Sequence, residues 1–372
     1  MSEHVLITGG AGFIGSHLSR RLLQRGDRVR ALDNLTSQVH AGGRPPSYLP
    51  PEVQLIVGDV RDRAAVDHAL QGIDTVVHLA ARVGVGQSMY EIAEYASVNT
   101  LATGVLLEAM MDRPVRKLVV ASSMSVYGEG LYRDATGAVS EALERDRAQL
   151  ERGAWEPTGP EQQRLEPLPT PESKPPTLSS IYALGKFDQE RMCLLYGSSY
   201  GVPTVALRFF NVYGPDQALS NPYTGVLAIF ANRLLNHLPP LIYEDGNQRR
   251  DFVSVHDVAD ACVLALGHPG ADGQVLNVGS GRSFSVVEIA LRLGQVLGKP
   301  EIDPVVTSKY RVGDIRHCFA DISRARDRIG FAPRIELEQG MSELADWLQH
   351  QSVGADRFES AGQELAARGL TL

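Results

Sequence analysis

The sequence has few cysteines and no long apolar run. Its 372 residues include three widely separated cysteines, namely Cys193, Cys262 and Cys318. An odd, scattered set predicts neither a disulfide framework nor a metal site, and favours small buried apolar side chains. No stretch reaches the ~18 consecutive apolar residues that can span a bilayer, and the first residues lack a signal-peptide pattern. The sequence therefore predicts a cytoplasmic protein without a bound metal or a membrane partner.

Positive charge is not in excess. The chain has 36 Lys and Arg against 44 Asp and Glu, a formal net charge of −8. This balance argues against a nucleic-acid partner, unless positive charge is concentrated locally. A composition of 43% hydrophobic and 22% charged residues is ordinary for a globular protein, and the length suits one large or two intergrown domains.

A glycine-rich turn follows the first apolar strand. Val5–Thr8 lead into Gly9, Gly12 and Gly15, and a helical pattern follows that closes at Gly26. Such a turn lets the backbone approach a pyrophosphate, and the free N–H groups of the first helical turn point at it. The same glycines also fit a tight turn in an unrelated α/β protein.

The next strand ends in an acidic residue. Val29–Leu32 lead into Asp33, which follows Gly15 by 18 residues. A carboxylate there accepts hydrogen bonds from the adenosine ribose and repels a 2′-phosphate, so NAD is predicted over NADP. Strands and helices then alternate, which predicts the α/β class with a doubly wound parallel sheet.

Further strand ends carry candidate cofactor contacts. Asp59 and Val60 are candidates for the edge and face of the adenine, although Asp59 also suits an ordinary helix cap. The small Ala80 and Ala81 allow close backbone approach. His78 is interpreted as a core histidine. Including residues added by the resemblance below, the predicted cofactor contacts are Gly9, Gly12, Phe13, Ile14, Gly15, Asp33, Asn34, Asp59, Val60, Leu79, Ala80, Ala81, Asn99, Tyr182 and Lys186.

Residues 90–111 have helical spacing with a broad apolar surface. That breadth predicts burial on two sides, by the sheet and by a partner subunit. Asn99 is polar among these apolar residues, so it either contacts backbone near the site or has a purely structural role. The fifth strand, Lys117–Ala121, is followed by Ser122 and Ser123, whose hydroxyls are expected to face the nicotinamide.

Tyr182 and Lys186 are four residues apart and share one face of a helix. A phenol near an ammonium and a nicotinamide cation has a lowered pKa, which makes Tyr182 a general base for a substrate hydroxyl. Lys186 would anchor the nicotinamide ribose, and Ser123 would hold the same substrate oxygen. The spacing alone also fits a pair on a helix surface.

Together these motifs resemble the extended short-chain dehydrogenase/reductase family, in its nucleotide-sugar epimerase/dehydratase branch. The resemblance covers roughly residues 3–350 and rests on Thr8–Gly15, Asp33, Asp59–Val60, His78–Ala81, Ser122–Ser123, Tyr182–Lys186, Arg208–Pro215, Gly246–Val253, Asn277–Gly279 and Arg311–Asp314. It implies a Rossmann domain that binds NAD, a smaller mixed C-terminal region that binds a nucleotide sugar, and a homodimer formed through a helix bundle.

The resemblance also narrows the reaction. Related 4,6-dehydratases have Asp-Glu after the hydroxyl residue, whereas this chain has Met124 and Ser125. The decarboxylase glutamate at Ser125 and the cysteine of 3,5-epimerases are also missing, which leaves 4-epimerisation as the simplest reaction. Implied substrate contacts are Ser123, Ser125, Asn211, Tyr243, Arg250, Arg311 and Asp314. Each arginine could instead form a surface or dimer salt bridge, and Tyr243 could pack in the core.

Tyr182 follows Ser123 by 59 residues, about twice the spacing of compact members. The Pro/Glu-rich insertion 129–178, interpreted as an irregular surface segment with one helix at 141–152, resembles dTDP-L-rhamnose 4-epimerase-like members, as does the stretch 218–225. We expect an NAD-binding domain at 1–208, a nucleotide-sugar-binding region at 209–352 interleaved with the sheet, and a frayed tail at 353–372. The expected activity is 4-epimerisation of a dTDP-6-deoxyhexose. The alternatives are an NDP-4-keto-6-deoxyhexose reductase or dehydrogenase, and a non-catalytic NAD-sensing or RNA-associated relative.

Overall fold

The computed structural model describes residues 2–140, 144–218, 225–311, 313–351 and 358–371. The strands, in chain order, are β1 (His4–Thr8), β2 (Arg28–Asp33), β3 (Gln54–Val57), β4 (Thr75–His78), β5 (Lys117–Ser123), β6 (Leu131–Arg133), β7 (Val139–Ser140), β8 (Glu166–Leu168), β9 (Thr204–Phe209), β10 (Asn211–Tyr213), β11 (Leu241–Ile242), β12 (Arg249–Arg250), β13 (Phe252–Ser254), β14 (Val275–Val278), β15 (Phe284–Ser285), β16 (Val305–Val306) and β17 (His317–Cys318). The helices are α1 (Phe13–Arg25), α2 (Arg63–Ala69), α3 (Val85–Ser88), α4 (Ile92–Tyr95), α5 (Ala102–Asp112), α6 (Arg147–Glu151), α7 (Ile181–Tyr200), α8 (Val226–Leu235), α9 (Val255–Gly267), α10 (Val286–Val296), α11 (Ser323–Ile329), α12 (Leu337–Gln349) and α13 (Phe358–Ala367).

Four features named from the sequence fall partly outside the described residues. They are the charged stretch 141–152 at residues 141–143, the stretch 218–225 at residues 219–224, the motif 311–314 at residue 312, and the tail at residues 353–357 and 372.

Within the described residues, seven strands form one parallel sheet in the order β3-β2-β1-β4-β5-β9-β14. The predicted doubly wound α/β class is confirmed. Parallel strands are buried on both faces, and alternate side chains enter opposite cores. Val5 and Ile7 of β1 pack on the side of α1 and α9, whereas Leu6 packs on the side of α2, α5 and α7.

A smaller body lies beyond the sheet. Helices α8, α10 and α12 pack around a separate apolar core that includes Phe230, Ile289 and Met341. Strand β10 pairs in parallel with β13, which fixes Asn211 opposite Phe252. Strand β12 pairs with β15 and β17, so Arg250 lies opposite Phe284 and Cys318. These short pairings bring the segments around Asn211, Arg250 and Cys318 to one side of the main sheet.

The insertion 129–178 is more regular than expected. Strands β7, β6 and β8 form a small antiparallel sheet, and α6 is a short helix. Tyr132 is fully buried, and Leu150 and Leu165 are nearly so. The expected helix is present as α6, and the segment is more ordered than expected because it also contains this small sheet and buried apolar side chains.

Residues 90–111 do not form one uniform helix. The segment passes from α4 through a π-helical stretch, Ala96–Leu101, into α5. The π-helical stretch contains the fully buried Asn99. Such insertions widen a helix locally, so the apolar spacing alone did not reveal the change.

The end of the chain is helical instead of frayed. Leu365 of α13 is buried and packs on Gly86, where an added Cβ would lie 3.2 Å from its Cδ1. The Arg368 guanidinium lies 4.4 Å from the centre of the Tyr90 ring, and Thr371 forms a β-bridge with Arg311. The last residues thus join the loop after β4 to the C-terminal region.

Candidate active site

A cavity of about 490 Å³ opens at the carboxyl edge of the main sheet. Of the predicted site residues, its lining includes Gly9, Gly12, Phe13, Ile14, Gly15, Asp33, Asn34, Asp59, Val60, Leu79, Ala80, Ala81, Ser123, Ser125, Tyr182, Lys186 and Asn211. Five predicted residues are outside this lining, namely Asn99, Tyr243, Arg250, Arg311 and Asp314. The ends of β1, β2, β4 and β5 supply most of the lining, as expected for a parallel sheet.

The glycine turn is shaped so that side chains would not fit. Gly9 has a φ of +70°, and a Cβ added there would lie 2.9 Å from the Ala80 nitrogen. A Cβ on Gly15 would lie 2.6 Å from the Gly9 oxygen. Gly12 precedes α1 without a side-chain cap, so the first-turn N–H groups remain available to an anion. These features fit the pyrophosphate of a dinucleotide.

Asp33 closes the adenosine end of the cavity. Its two carboxylate oxygens accept hydrogen bonds from the Ala11 and Leu35 N–H groups, at 3.0 and 2.9 Å. Both bonds hold the carboxylate at the carboxyl end of β2. The side chain is nearly buried, so its charge faces the cavity with little screening by water.

Asp59 does not cap the following helix, because Asp62 occupies that position. The Asp59 carboxylate instead accepts hydrogen bonds from the Arg61 guanidinium and from the Asn34 amide. The hydrogen bonds from Arg61 lower the pKa of Asp59 to about 2 despite its partial burial. This bridge joins the ends of β2 and β3 beside the cavity.

Ser123 and Ser125 are hydrogen-bonded to each other in the cavity that Tyr182 also lines. The Ser123 oxygen accepts hydrogen bonds from the Ser125 N–H at 3.2 Å and from the Ser125 hydroxyl at 2.8 Å. The Ser123 hydroxyl also lies near enough to the Tyr182 phenol to lower the pKa of that phenol. Tyr182 is held from the other side, because its N–H donates to the Ser88 Oγ at 3.0 Å.

Burial raises the pKa of the Tyr182 phenol above its usual value, and the hydrogen bond to Ser123 works in the opposite direction. In the protein without NAD, the pKa of Tyr182 is therefore not lowered, although a lowering by Lys186 was expected. The Lys186 ammonium donates to the Gln189 Oε1 at 2.7 Å, and burial lowers the pKa of Lys186 to about 8. Burial is therefore the largest cause of both pKa shifts.

Asn99 has a structural role in this arrangement. Its amide accepts a hydrogen bond from the Arg82 N–H at 2.8 Å and donates one to the Arg82 carbonyl at 3.1 Å. Asn99 is fully buried and outside the cavity lining, and it fixes the backbone of Arg82, as expected for a polar side chain that contacts backbone near the site. A direct contact of Asn99 with the cofactor remains a prediction. His78 is a core histidine, as expected, with its ring nitrogens 2.7 Å from the Thr8 Oγ1 and 3.0 Å from the Thr103 Oγ1.

The other four predicted substrate contacts form a second cluster. Arg250 lies 3.7 Å from the Asp314 carboxylate, and the Arg311 guanidinium stacks 4.6 Å from the centre of the Tyr243 ring. A Cβ on Gly313 would lie 2.9 Å from the Ser179 carbonyl, just before α7. The structure therefore brings these residues together beside the helix of Tyr182, although they do not line the cavity itself.

The insertion is bound to this second cluster by charge. Arg316 is fully buried, and its guanidinium contacts Glu156, Glu244 and Asp245 at 2.5–2.9 Å. The buried guanidinium of Arg145 donates to Glu244 and to the Asp314 carbonyl, both at 2.8 Å. The insertion thus borders the predicted nucleotide-sugar region.

His40 and Arg82 are among the lining residues that were not identified from the sequence. His40 is nearly buried, with its Nε2 3.7 Å from the Asp33 carboxylate, and Arg82 follows the small residues Ala80 and Ala81. His40 lies in a Gly/Pro-rich loop without periodic pattern, so no local signal indicated it. For Arg82, its basic side chain directly after Ala81 was a local signal that could have identified it as a lining residue.

The comparisons with known proteins agree with this site. The model of the NAD dependent epimerase/dehydratase family matches residues 5–148 and 153–279. The chain belongs to this family, and its assignment as an NAD-dependent epimerase enzyme of the extended short-chain dehydrogenase/reductase class is confirmed.

Individual relatives span nearly the whole chain. A dTDP-L-rhamnose 4-epimerase from Burkholderia thailandensis is 37% identical over 94% of this chain and 96% of its own length. A putative UDP-glucose 4-epimerase from Methanocaldococcus jannaschii is 30% identical over 94% of this chain and 99% of its own. The structure of a Thermus thermophilus UDP-glucose 4-epimerase in complex with NAD has a TM-score of 0.74 and 32% identity, covering 94% of this chain and 100% of that one.

In the part of the chain that the structure describes, no group of three or more His, Cys, Asp and Glu side chains could hold a metal ion. Among the same residues, no helix has the length and apolar character needed to cross a bilayer.

Proposed function

We propose that the protein is an NAD-dependent nucleotide-sugar 4-epimerase that acts on a dTDP-6-deoxyhexose through a transient 4-keto sugar. The observation that carries the proposal is that Ser123, Tyr182 and Lys186 line the same cavity as the glycine turn. The similarity to the Burkholderia dTDP-L-rhamnose 4-epimerase supports a dTDP-sugar as the substrate.

The roles of the chain's groups follow from their positions. Tyr182 takes the proton of the C4 hydroxyl and later returns it, while Ser123 holds the same oxygen. Lys186 binds the nicotinamide ribose and, as an ammonium, favours the phenolate of Tyr182. NAD, when bound, accepts the hydride from C4 and returns it to the opposite face of the sugar.

For the opposite face to be reached, the keto sugar must turn while the nucleotide stays bound. We assign binding of the diphosphate to Asn211, Arg250 and Arg311. The guanidinium group of an arginine can bind two phosphate oxygens at once. Asp314 would contact the nucleotide ribose, and Tyr243 would pack against the base beside Arg311. Ser125, which is hydrogen-bonded to Ser123, would contact the sugar.

The residues beside Ser123 favour epimerisation over elimination. Met124 and Ser125 carry no carboxyl group that could transfer a proton during loss of water. The remaining alternative is an NDP-4-keto-6-deoxyhexose reductase, which would use the same Ser123, Tyr182 and Lys186 but release its product and exchange its cofactor.

The test uses the purified protein without added cofactor. It is incubated in deuterated water with dTDP-L-rhamnose, dTDP-glucose and UDP-glucose, and the products are resolved by NMR. We expect a C4 epimer of dTDP-L-rhamnose without deuterium at C4, since the hydride is returned and does not come from solvent.

Other results would change the assignment. Stoichiometric NADH consumption with a dTDP-4-keto-6-deoxyhexose, without epimer formation, would establish the reductase. Turnover of UDP-glucose alone would retain 4-epimerisation but refute the dTDP-sugar.

Asp33 gives a prediction about cofactor choice. The change Asp33→Asn keeps an acceptor for Leu35 but removes the charge that faces a 2′-phosphate. We expect the preference for NAD over NADP to shrink by about tenfold, which corresponds to relief of about 1.4 kcal/mol of repulsion between like charges. Calorimetry on nucleotide-free protein measures both affinities.

The matched control for this change is Asp27→Asn. Asp27 is a nearly buried carboxylate that accepts the Glu3 N–H at the opposite edge of the sheet. The Asp27→Asn change should leave the preference for NAD over NADP unchanged. An unchanged preference in Asp33→Asn would mean that Asp33 does not select the cofactor.

We also propose a homodimer formed through α7 and the neighbouring π-helical stretch. Leu184 and Leu195 of α7 are 43% and 57% exposed and, at a spacing of 11 residues, lie on one face of the helix. Leu101 of the π-helical stretch is 61% exposed. A second copy would cover these apolar side chains. Three buried, unpaired cysteines further support a reducing, cytoplasmic location.

The double change Leu184→Glu and Leu195→Glu is expected to separate the dimer. Four carboxylates would then meet at the interface, and their desolvation disfavours association. Light scattering after size exclusion should give half the wild-type mass. Leu291→Glu, at a 45% exposed position on α10, is the control. A wild-type mass of one chain would refute the dimer.

A further inference from the structure

Gln189 contacts the buried end of Lys186. Gln189 is fully buried, Lys186 is 3% exposed, and the Lys186 Nζ donates to the Gln189 Oε1 at 2.7 Å. Lysine has a long flexible side chain, so a fixed acceptor determines where its charge lies. The resemblance that identified Tyr182 and Lys186 assigned nothing to this glutamine.

The orientation of the Gln189 amide follows from its neighbours. Its Nε2 lies 3.2 Å from the Ala80 carbonyl, which can only accept, and 3.1 Å from the Thr103 Oγ1. Thr103 gives its own proton to the Asn99 carbonyl at 2.6 Å, so it accepts from Gln189. The amide nitrogen must therefore face Ala80, and the amide oxygen must face Lys186.

His78 holds this arrangement from the far side. Its Nε2 lies 3.0 Å from the Gln189 Nε2, and its Nδ1 lies 2.7 Å from the Thr8 Oγ1. Burial, and then the charge of Lys186, lower the pKa of His78 to about 3, so the ring is neutral. The amide is thus fixed by the ends of β1 and β4, the two strands that also place the glycine turn and the small residues of the cavity.

We infer that Gln189 is a positioning residue that holds the Lys186 ammonium beside Tyr182 and the nicotinamide ribose. The inference rests on the proposed function, since it gives Lys186 its role there. An ammonium has three donors, so one bond to Gln189 leaves two for the ribose hydroxyls.

The neutrality of the amide is as important as its position. A carboxylate at residue 189 would pair with Lys186 and cancel its charge, whereas an amide accepts the hydrogen bond without doing so. The field of Lys186 then remains available to stabilise the phenolate of Tyr182 when NAD is bound. Other charged and titratable groups facing Lys186 are Glu190, which is paired with Arg208, and the thiol of Cys193.

The isosteric change Gln189→Glu tests this inference. Lys186 is one helical turn from Tyr182 and lines the same cavity, so cancelling its charge should raise the Tyr182 titration in the NAD complex by about one pH unit. Ultraviolet difference titration reads this phenolate without any sugar, with Tyr182→Phe identifying its contribution. In the epimerase assay, the acidic limb of kcat/KM should move by the same amount.

A second change covers the case in which the new carboxyl is protonated. Gln189→Met removes the acceptor without adding charge, and should lower kcat about tenfold while the KM for the nucleotide sugar is unchanged. The matched control is Thr100→Val, which removes the 2.9 Å hydrogen bond from Thr100 to Asp188 on the same helix pair. It should lower the melting temperature but leave the phenolate titration and kcat unchanged.

The outcomes separate the two claims. If both Gln189 variants lower only the melting temperature and keep the wild-type titration and kcat, Gln189 merely packs and the inference is refuted. If wild-type protein epimerises no nucleotide sugar, the proposed function fails, while the phenolate titration in the NAD complex still decides the role of Gln189.

Discussion

Replacing Tyr182 with phenylalanine is expected to lower kcat by about 10³-fold while NAD remains bound. General acid–base catalysis contributes roughly 10²–10⁴-fold, and this change removes the group that transfers the C4 proton. The aromatic ring is kept, so the packing against α3 is preserved. The measurement combines initial rates of epimer formation with the dissociation constant for NAD.

The control for this experiment is Tyr132→Phe. Tyr132 is fully buried in the insertion, and its hydroxyl donates to Glu129 at 2.6 Å. The Tyr132→Phe variant loses a buried phenolic hydroxyl outside the cavity lining. We expect this change to affect the stability of the protein more than the rate of epimerisation. Wild-type turnover by Tyr182→Phe would remove the basis of the catalytic proposal, although the fold and family would stand.

The largest expected effect on stability comes from Arg316→Met. The change leaves Glu244, which is 2% exposed, without one of its two guanidinium partners. Breaking a buried ion pair from one side typically costs about 3–5 kcal/mol, because an uncompensated charge remains. We expect a loss of that order in the free energy of unfolding, measured by urea denaturation, and faster proteolysis within residues 129–178.

The same cluster predicts a dependence on pH. Burial alone would raise the pKa values of Glu156 and Asp245, but hydrogen bonds outweigh it, chiefly from His317 and Arg316, and hold both at about 2. A carboxyl group whose pKa is lowered in the folded state stabilises the protein at pH values above its unfolded-state pKa. This stabilisation is lost as the pH falls toward 2. Below about pH 4, the stability of wild-type protein should therefore fall more steeply than that of Arg316→Met.

Arg133→Met is the matched control in the same insertion. Arg133 pairs with Glu166 at 2.9 Å, but both side chains are exposed, so solvent screens the pair. It should leave the unfolding midpoint unchanged. An unchanged midpoint in Arg316→Met would show that the buried cluster does not hold the insertion in place.

Much of the site could be predicted because it depends on short stretches of sequence. The glycine turn, Asp33 and the end of β5 each lie next to a buried apolar strand, and parallel strands bring their carboxyl ends to one edge. Tyr182 and Lys186 are joined by helical periodicity alone. The roles of these residues in binding and catalysis remain predictions.

Other features depended on contacts between distant parts of the chain. Asn99 was expected to contact backbone near the site, but only the structure identifies that backbone as Arg82. The insertion was expected to be irregular, yet Arg316 lies 160 residues from its partner Glu156 and binds the insertion to β17. Gln189 also resembles any other helix residue until its neighbours from β4 and α5 are known.

The sequence by itself determined the class of fold, the strands whose ends form the cofactor cavity, and most of the predicted residues that converge on it. These properties follow from local periodicity and from the rule that parallel strands end together. Only the tertiary structure decided which buried polar groups face one another, and hence that burial raises the pKa of Tyr182 and that an amide, not a carboxylate, receives the Lys186 ammonium. Desolvation and hydrogen-bond direction depend on the three-dimensional surroundings of each atom, which no spacing along the chain encodes.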